Sequence, residues 1–526
     1  MKGALCVLFL VGCVYGAEVR VDPLVLISGQ GLVSGQRATD GDYSKFLGIP
    51  YAQVDTDNPF GPSLEPAPFV EIIHNANDGS AKCPQLSSDD KTSIDCLRLN
   101  IFVPSSASSR SPLPVLFWIH GGDFSSGSAG GYSGVRNIVR HGVVVVTINY
   151  RLGPYGFLCL GIPSLPGNQG LKDQFEALRW VRKNIASFGG NPYNVTIAGQ
   201  DAGATSALLH LYSRNDKLFH KAIIESGTPQ NEGMFVNGDV DAAIKLAERL
   251  GLNTTDSKEA VEYLIKTDHD LVAVAALDLK LSMKPCKERS FSGIENFVEY
   301  DPYALTNEKK VQNTPVLIGY TNKERDSLND EYYKSDPFYS KLKNNFNLDD
   351  IDALNAAKTV QNFYIGDKAI STEVASELKD FESDFDFNHP AQRTIVQLLN
   401  ENAGAVYEYL FSYVGNSEVE GAGHSAELSY LFELSNEQKT IEDQLVIDRI
   451  TYLWGNFIKY GNPTPEITEL VPVSWPAVSK ATRPTLVIDT NLRVEGRVDN
   501  QRMAFWDLFY SVYGKYNKIV RECSMM

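Results

Sequence analysis

The sequence predicts an α/β fold in which helices flank one large, mainly parallel mixed sheet. Three observations on the 526 residues carry this prediction. Apolar, β-branched runs at 113–119, 143–149, 195–198 and 222–225 alternate with helical stretches, the pattern of parallel strands joined by crossover helices. Residues 168–188 place Leu171, Phe175, Leu178, Val181, Ile185 and Phe188 at three- and four-residue spacing, one apolar helix face ended by Gly189-Gly190. Residues 195–204 run from a buried strand through a tight turn bracketed by Gly199 and Gly203 into a helix over 204–212.

In chain order, residues 25–49 alternate apolar and polar positions and read as short antiparallel strands. Residues 94–104 are a strand stopped by Pro104, and residues 113–119 a central strand with Trp118 in the core. That strand runs into His120-Gly121-Gly122-Asp123-Phe124, a glycine-rich turn whose backbone N–H groups can hold an oxyanion. On the long helix, Asp173 and Gln174 read as solvated or capping residues. Residues 235–310 read as helices and loops, residues 315–319 as a strand leading to Glu324, and residues 330–400 as a helical insertion or lid. Residues 405–411 form a strand followed by the loop Gly421-Ala422-Gly423-His424-Ser425-Ala426-Glu427-Leu428. The aromatic-rich end, 502–516, reads as a docking helix.

Hydrophobic content of 43% and charged content of 21% mark a folded globular chain. No linker or repeat divides it, so one domain over 17–526 is expected after a signal peptide at 1–16. Lys2 and the short apolar run 4–14 have the layout of that signal. No later segment reads as a membrane span, and the C-terminus lacks a lipid-anchor tail. A net charge of −17 opposes nucleic-acid binding. Cys6 and Cys13 leave with the signal. Of the other five cysteines, Cys83 and Cys96 flank a polar loop and are the disulfide candidates. Cys159 reads as a buried free thiol, and Cys523 as a tail thiol able to bridge two chains. Asn194 and Asn253 head glycosylation sequons, Asn253 in the more polar setting. No histidine pair or Cys/His cluster suggests a metal, and no cofactor is expected. His120, His389 and the remaining histidines apart from His424 read as structural.

A strand, a G-x-x-x-G turn and a helix make the nucleophile elbow of an α/β-hydrolase fold, which holds its central residue in a strained backbone. Together with Asp95-Cys96-Leu97-Arg98-Leu99-Asn100, His120-Gly121-Gly122, Asn149-Tyr150-Arg151-Leu152-Gly153, Asn168-Gln169-Gly170-Leu171-Lys172-Asp173-Gln174, Phe188-Gly189-Gly190-Asn191-Pro192 and Phe505-Trp506, it resembles the type-B carboxylesterases. Cholinesterases and insect juvenile hormone esterases belong to that family, and Gln200 before the elbow residue is closer to the latter. The resemblance spans nearly the whole mature chain. It implies a catalytic acid at Glu324, a base at His424, and an oxyanion hole from the backbone N–H groups of Gly122, Asp123 and Ala202.

Three positions depart from the family pattern. Asp201 stands where the family has the nucleophilic Ser, which removes the hydroxyl. Asp123 replaces a small residue and is expected to oppose an oxyanion by like charge. Arg325 follows Glu324 in place of Gly and can turn that carboxylate away from His424. The expectation is therefore a secreted, extracellular carboxylesterase-like protein, impaired as a serine esterase, that binds a lipophilic small molecule or an extracellular protein. The alternative is an active hydrolase of lipophilic esters, or one that uses Asp201 as nucleophile with His424.

The leader makes a direct prediction. The chain should be recovered from culture medium with an N-terminus near Ala17 and a glycan on Asn253. Mass spectrometry that finds an intact Met1 would reject it.

Overall fold

The computed structural model of the chain describes residues 23–86, 92–417, 419–434 and 438–518. The signal-peptide expectation at 1–16 and the tail thiol Cys523 lie outside them. Fourteen strands are found among the described residues. β1 (Leu24–Ile27), β2 (Gly31–Ser34) and β5 (Ile73–Asn75) form a small three-stranded sheet. The main sheet contains β3 (Gln36–Arg37), β4 (Tyr43–Pro50), β6 (Arg98–Pro104), β7 (Leu113–Ile119), β8 (Val144–Ile148), β9 (Gly190–Gln200), β10 (Lys221–Glu225), β11 (Val316–Thr321), β12 (Val406–Phe411), β13 (Thr485–Ile488) and β14 (Arg493–Glu495). Its order is β3-β4-β6-β8-β7-β9-β10-β11-β12-β13-β14. From β8 to β13 every neighbour is parallel; β3, β4, β6 and β14 pair antiparallel. β7 lies between β8 and β9, so the chain reverses its direction of travel across the sheet there. Crevices at the carboxyl ends of strands beside such a reversal are where open α/β sheets bind ligands.

Side chains in the central strands divide by the two-residue period of a pleated sheet. Val115, Phe117, Ile119, Val144, Val146, Ile148, Ile197 and Ile224 join one hydrophobic cluster, whereas Leu116, Trp118, Val145, Ala198, Ile223 and Leu317 join the cluster on the other face. The long helix Gln169–Asn184 covers the first face with Leu171, Leu178 and Val181. The twenty-residue helix Ile441–Tyr460 covers the second with Ile450, Leu453, Trp454 and Phe457. The helices of the 330–400 region have their own core, in which Phe338, Leu342, Phe346 and Phe381 pack with Met503, Trp506 and Phe509 of the C-terminal helix Asn500–Tyr513.

Three readings of the sequence change here. Asp173 and Gln174 are fully buried rather than solvated. Asp173 receives Nε of Arg151 at 2.7 Å and Nη2 at 2.6 Å, while Nη1 of Arg151 reaches the carbonyls of Pro59 and Gly61. Gln174 bonds Ser206 and His210 in the elbow helix. A helix pattern marks such positions as polar but does not show that a distant arginine meets them. Cys159 is not a free thiol: it is joined to Cys286 across 127 residues, a partner that sequence proximity could not single out. Cys83 is joined to Cys96. Closing loops of these lengths stabilises a fold by about 3 to 5 kcal/mol each in the chain-entropy model. The shorter bridge also anchors Gln85, whose amide brackets Gly127 through its N–H and its carbonyl at 2.9 Å each. This holds the far end of the glycine-rich turn after β7.

Arg151 and Asp173 form a buried pair, and removing one partner leaves an uncompensated charge in the core. Asp173→Asn should lower the unfolding free energy by about 3–5 kcal/mol, read as a shift in the urea midpoint at unchanged slope. A midpoint equal to that of wild type would refute the pair's role.

Candidate active site

β9 ends at Gln200 and the elbow helix Ala202–Tyr212 begins at once, so a single residue, Asp201, makes the turn. Its backbone sits at φ 57°, ψ −120°, a conformation costing of order 1–3 kcal/mol for a non-glycine residue. The surroundings hold it there. Asp201 N–H donates to the Glu225 carbonyl of β10 at 2.9 Å. A Cβ on Gly203 would lie 2.0 Å from the Ile119 carbonyl oxygen, and one on Gly227 would lie 2.0 Å from the Asp201 carbonyl oxygen. Only glycine lets these backbones approach so closely.

The remaining site residues arrive from the carboxyl ends of neighbouring strands: the glycine turn from β7, Ser226 from β10, Glu324 from β11 and His424 from the loop after β12. Glu324 Oε2 lies 2.5 Å from His424 Nδ1. Its other oxygen receives Thr321 N–H at 2.8 Å and the Ser226 hydroxyl at 2.6 Å, so the carboxylate is fixed on both sides. His424 Nε2 faces Asp201 Oδ1 at 3.8 Å. The three expected residues therefore converge in the order elbow residue, base, acid.

The second carboxylate oxygen of Asp201 takes the place meant for substrate. Oδ2 accepts the N–H groups of Gly122 at 3.0 Å and Asp123 at 2.9 Å. These are two of the three expected oxyanion donors. The third, Ala202, is the first residue of the elbow helix, and a helix N-terminus favours negative charge.

Two expected disturbances do not occur. The Asp123 carboxylate is largely exposed and pairs with Lys284, whose ammonium also caps the Asp123 carbonyl at 2.5 Å. Only the Asp123 backbone N–H faces the hole, so its charge does not oppose an oxyanion there. Arg325 does not displace Glu324. Its guanidinium turns to Asp386, with Nε at 3.1 Å and Nη2 at 3.0 Å, and lies over the Phe387 ring. Phe387 in turn packs beside His424, with ring centroids 4.9 Å apart.

The charge state of His424 follows from these neighbours. Burial opposes its cationic form, but the Glu324 carboxylate outweighs burial through charge and hydrogen bond, and Asp201 adds to it, raising the pKa from 6.5 to about 9. The imidazole is thus an imidazolium at neutral pH and is not available as a base. The Gln200 amide nitrogen lies 2.9 Å from His424 Nε2, and a protonated ring is met there only with the amide turned over to present its oxygen. Behind the site, burial and then the Glu324 charge push the Glu427 carboxyl up to about 7. Burial and then Glu427 push Glu225 up as well, while Trp454 donates to Glu225 at 2.7 Å. His120 is structural: it stacks on Tyr150, and burial lowers its pKa to about 4.

Sequence reasoning missed Ser226, Lys284, Phe387, Asp386 and Glu225. It quoted Glu427 only as part of the histidine loop. The three-residue offset from His424 was the one available signal for it, because the others come from segments far apart in sequence.

Comparisons with known proteins show the family of the chain. Residues 21–506 match the model of the Carboxylesterase family. Juvenile hormone esterase of Heliothis virescens is 31% identical over 536 residues, covering 91% of this chain and 93% of the relative. Esterase FE4 of Myzus persicae is 31% identical, covering 91% of each. Bile salt-activated lipase of Homo sapiens is 31% identical, covering 82% of this chain and 61% of the lipase.

The raised pKa of His424 links to stability with a definite sign. A group bound more tightly to its proton when folded contributes stability that is fully present below its ordinary value of 6.5 and lost as pH rises through about 9. An NMR titration of His424 should show a midpoint near 9 that falls in Asp201→Asn. A midpoint at or below the ordinary histidine value in wild type would contradict this electrostatic picture.

Proposed function

We propose, from the premise that the chain belongs to the carboxylesterase family, that it is silenced as a serine esterase and acts by binding a lipophilic small molecule at the retained site. The observation that carries this reading is Asp201 Oδ2 lying in the oxyanion hole. Acyl transfer needs a nucleophile, a neutral base and an empty hole. Here the hydroxyl is absent, His424 is protonated, and the hole is filled by the protein's own carboxylate. An ester carbonyl therefore finds the Gly122 and Asp123 donors already taken. Attack by Asp201 on such a carbonyl would give a mixed anhydride, a poor route to acyl transfer.

The lipophilic ligand is inferred from relatives whose names specify a hormone esterase and a lipase. An extracellular protein partner is the second occupant considered, and the acidic net charge disfavours nucleic acid. No cofactor is invoked. We place the mature chain, 17–526, outside the cell. Two disulfides suit an oxidising compartment, and none of the described helices is long and apolar enough to cross a membrane. Of the two sequons, exposed Asn253 is the glycan acceptor. The Asn194 amide is engaged, with Nδ2 donating to the Lys459 carbonyl and Oδ1 accepting from Lys221.

The test is Asp201→Ser. It supplies the hydroxyl, empties the hole and removes one charge that holds the proton on His424. Hydrolysis of short-chain esters should rise by about 10²-fold or more over wild type, with a covalent adduct to a phosphonate probe that wild type does not form. Adding Asp123→Gly should change that rate by less than about fivefold, the scale of an exposed ion pair. Equal hydrolysis by wild type and Asp201→Ser would end this reading.

A further inference from the structure

We propose that the site opens strained cyclic ethers: Asp201 Oδ1 attacks the ring carbon of a lipophilic epoxide, and His424 protonates the departing oxygen. The inference rests on the reading above, that the site is closed to acyl transfer but takes a lipophilic ligand. It extends that reading by naming a ligand class and a reaction.

The two oxygens of Asp201 have separate surroundings. Oδ2 is held by the N–H groups of Gly122 and Asp123, while Oδ1 points to His424 at 3.8 Å. Attack on an ester carbonyl would need the substrate's oxygen in the hole, and Oδ2 is already there. Attack on an epoxide carbon places the developing charge on the ring oxygen, which is met by His424 rather than by the hole, so Oδ2 stays where it is. With Nε2 3.8 Å from Oδ1, a carbon about 3–3.5 Å from Oδ1 can hold its leaving oxygen within hydrogen-bond reach of Nε2. Phe387 lies against the imidazole and gives an apolar neighbour to the substrate.

The bonds and protons balance. An electron pair of Oδ1 forms the new C–O bond, the ring C–O bond breaks, and its pair stays on the departing oxygen. The His424 Nε2 proton passes to that oxygen. This leaves an alkyl ester of Asp201 and a neutral imidazole. The imidazole then takes a proton from water as the water oxygen adds to Cγ. Charge develops on Oδ2, inside the two N–H groups that already hold it. Collapse expels the alkoxide carrying the former Oδ1, His424 returns a proton to it, and the resulting carboxylic acid reprotonates the imidazole. The sum is epoxide plus water giving a diol. A histidine that begins protonated is wrong for a serine esterase and right for this order of steps. It also favours an epoxide over an alkyl halide, whose leaving group needs no proton.

The experiment is a single turnover of the full secreted chain in oxygen-18 water, with protein in excess over trans-stilbene oxide and, separately, a long-chain terminal epoxide. The peptide carrying Asp201 should gain one oxygen-18 and the diol none. Asp201→Ser should form no diol while it gains ester hydrolysis. Three results would overturn the proposal: label in the diol rather than in Asp201, no diol from either epoxide, or diol formation that survives Asp201→Ser. If no diol forms but Asp201→Ser gains ester hydrolysis, only the epoxide chemistry fails and the silenced-esterase reading stands. If wild type hydrolyses esters as fast as the variant, the underlying reading fails instead.

Discussion

Everything in this site depends on where the Asp201 carboxylate is held. The elbow fixes its backbone at a positive φ, with glycines on three sides and β10 below. From there the side chain projects into the turn after β7. A serine in that place would leave the two N–H groups of Gly122 and Asp123 for substrate. A carboxylate is one atom longer and branched, so one oxygen enters the hole and the other faces the base. The charge of that second oxygen helps keep His424 protonated. A carboxylate at this one position thus bears on the elbow residue, the hole and His424 together.

The residues around Asp201 are held in place by hydrogen bonds and ion pairs. Glu324 is satisfied on both oxygens and bonded to His424. The glycine turn is held at one end by Gln85, anchored through the Cys83–Cys96 bridge, and at the other by Lys284, two residues from the Cys159–Cys286 bridge. The charged side chains of Asp123 and Arg325 each have a partner, Lys284 and Asp386, that holds them away from His424 Nε2 and the Asp201 carboxylate. Such order is costly to keep in side-chain and backbone freedom.

Much of this was legible in the sequence, and the reason is local. The elbow, the glycine turn, the long helix and the strand runs are contiguous patterns, and each fixes its own geometry through periodicity or close backbone approach. The order of Asp201, Glu324 and His424 could be read from the same motifs. What could not be read depends on partners distant in sequence. Asp173 looked like a surface residue because Arg151 lies 22 positions away, in the loop after β8. Cys159 looked free because Cys286 is 127 residues on. Asp123 and Arg325 looked disruptive because Lys284 and Asp386 are not near them in the chain. The position of each carboxylate oxygen of Asp201 is a further step beyond pattern, since it turns on one side-chain rotation.

That rotation is also what a crystal structure of the mature, glycosylated chain would test most directly, at a resolution that separates the two carboxylate oxygens. The account predicts Asp201 Oδ2 within hydrogen-bond distance of both Gly122 N and Asp123 N, with Oδ1 turned to His424. A water in the hole, with the Asp201 carboxylate rotated out of it, would contradict the account.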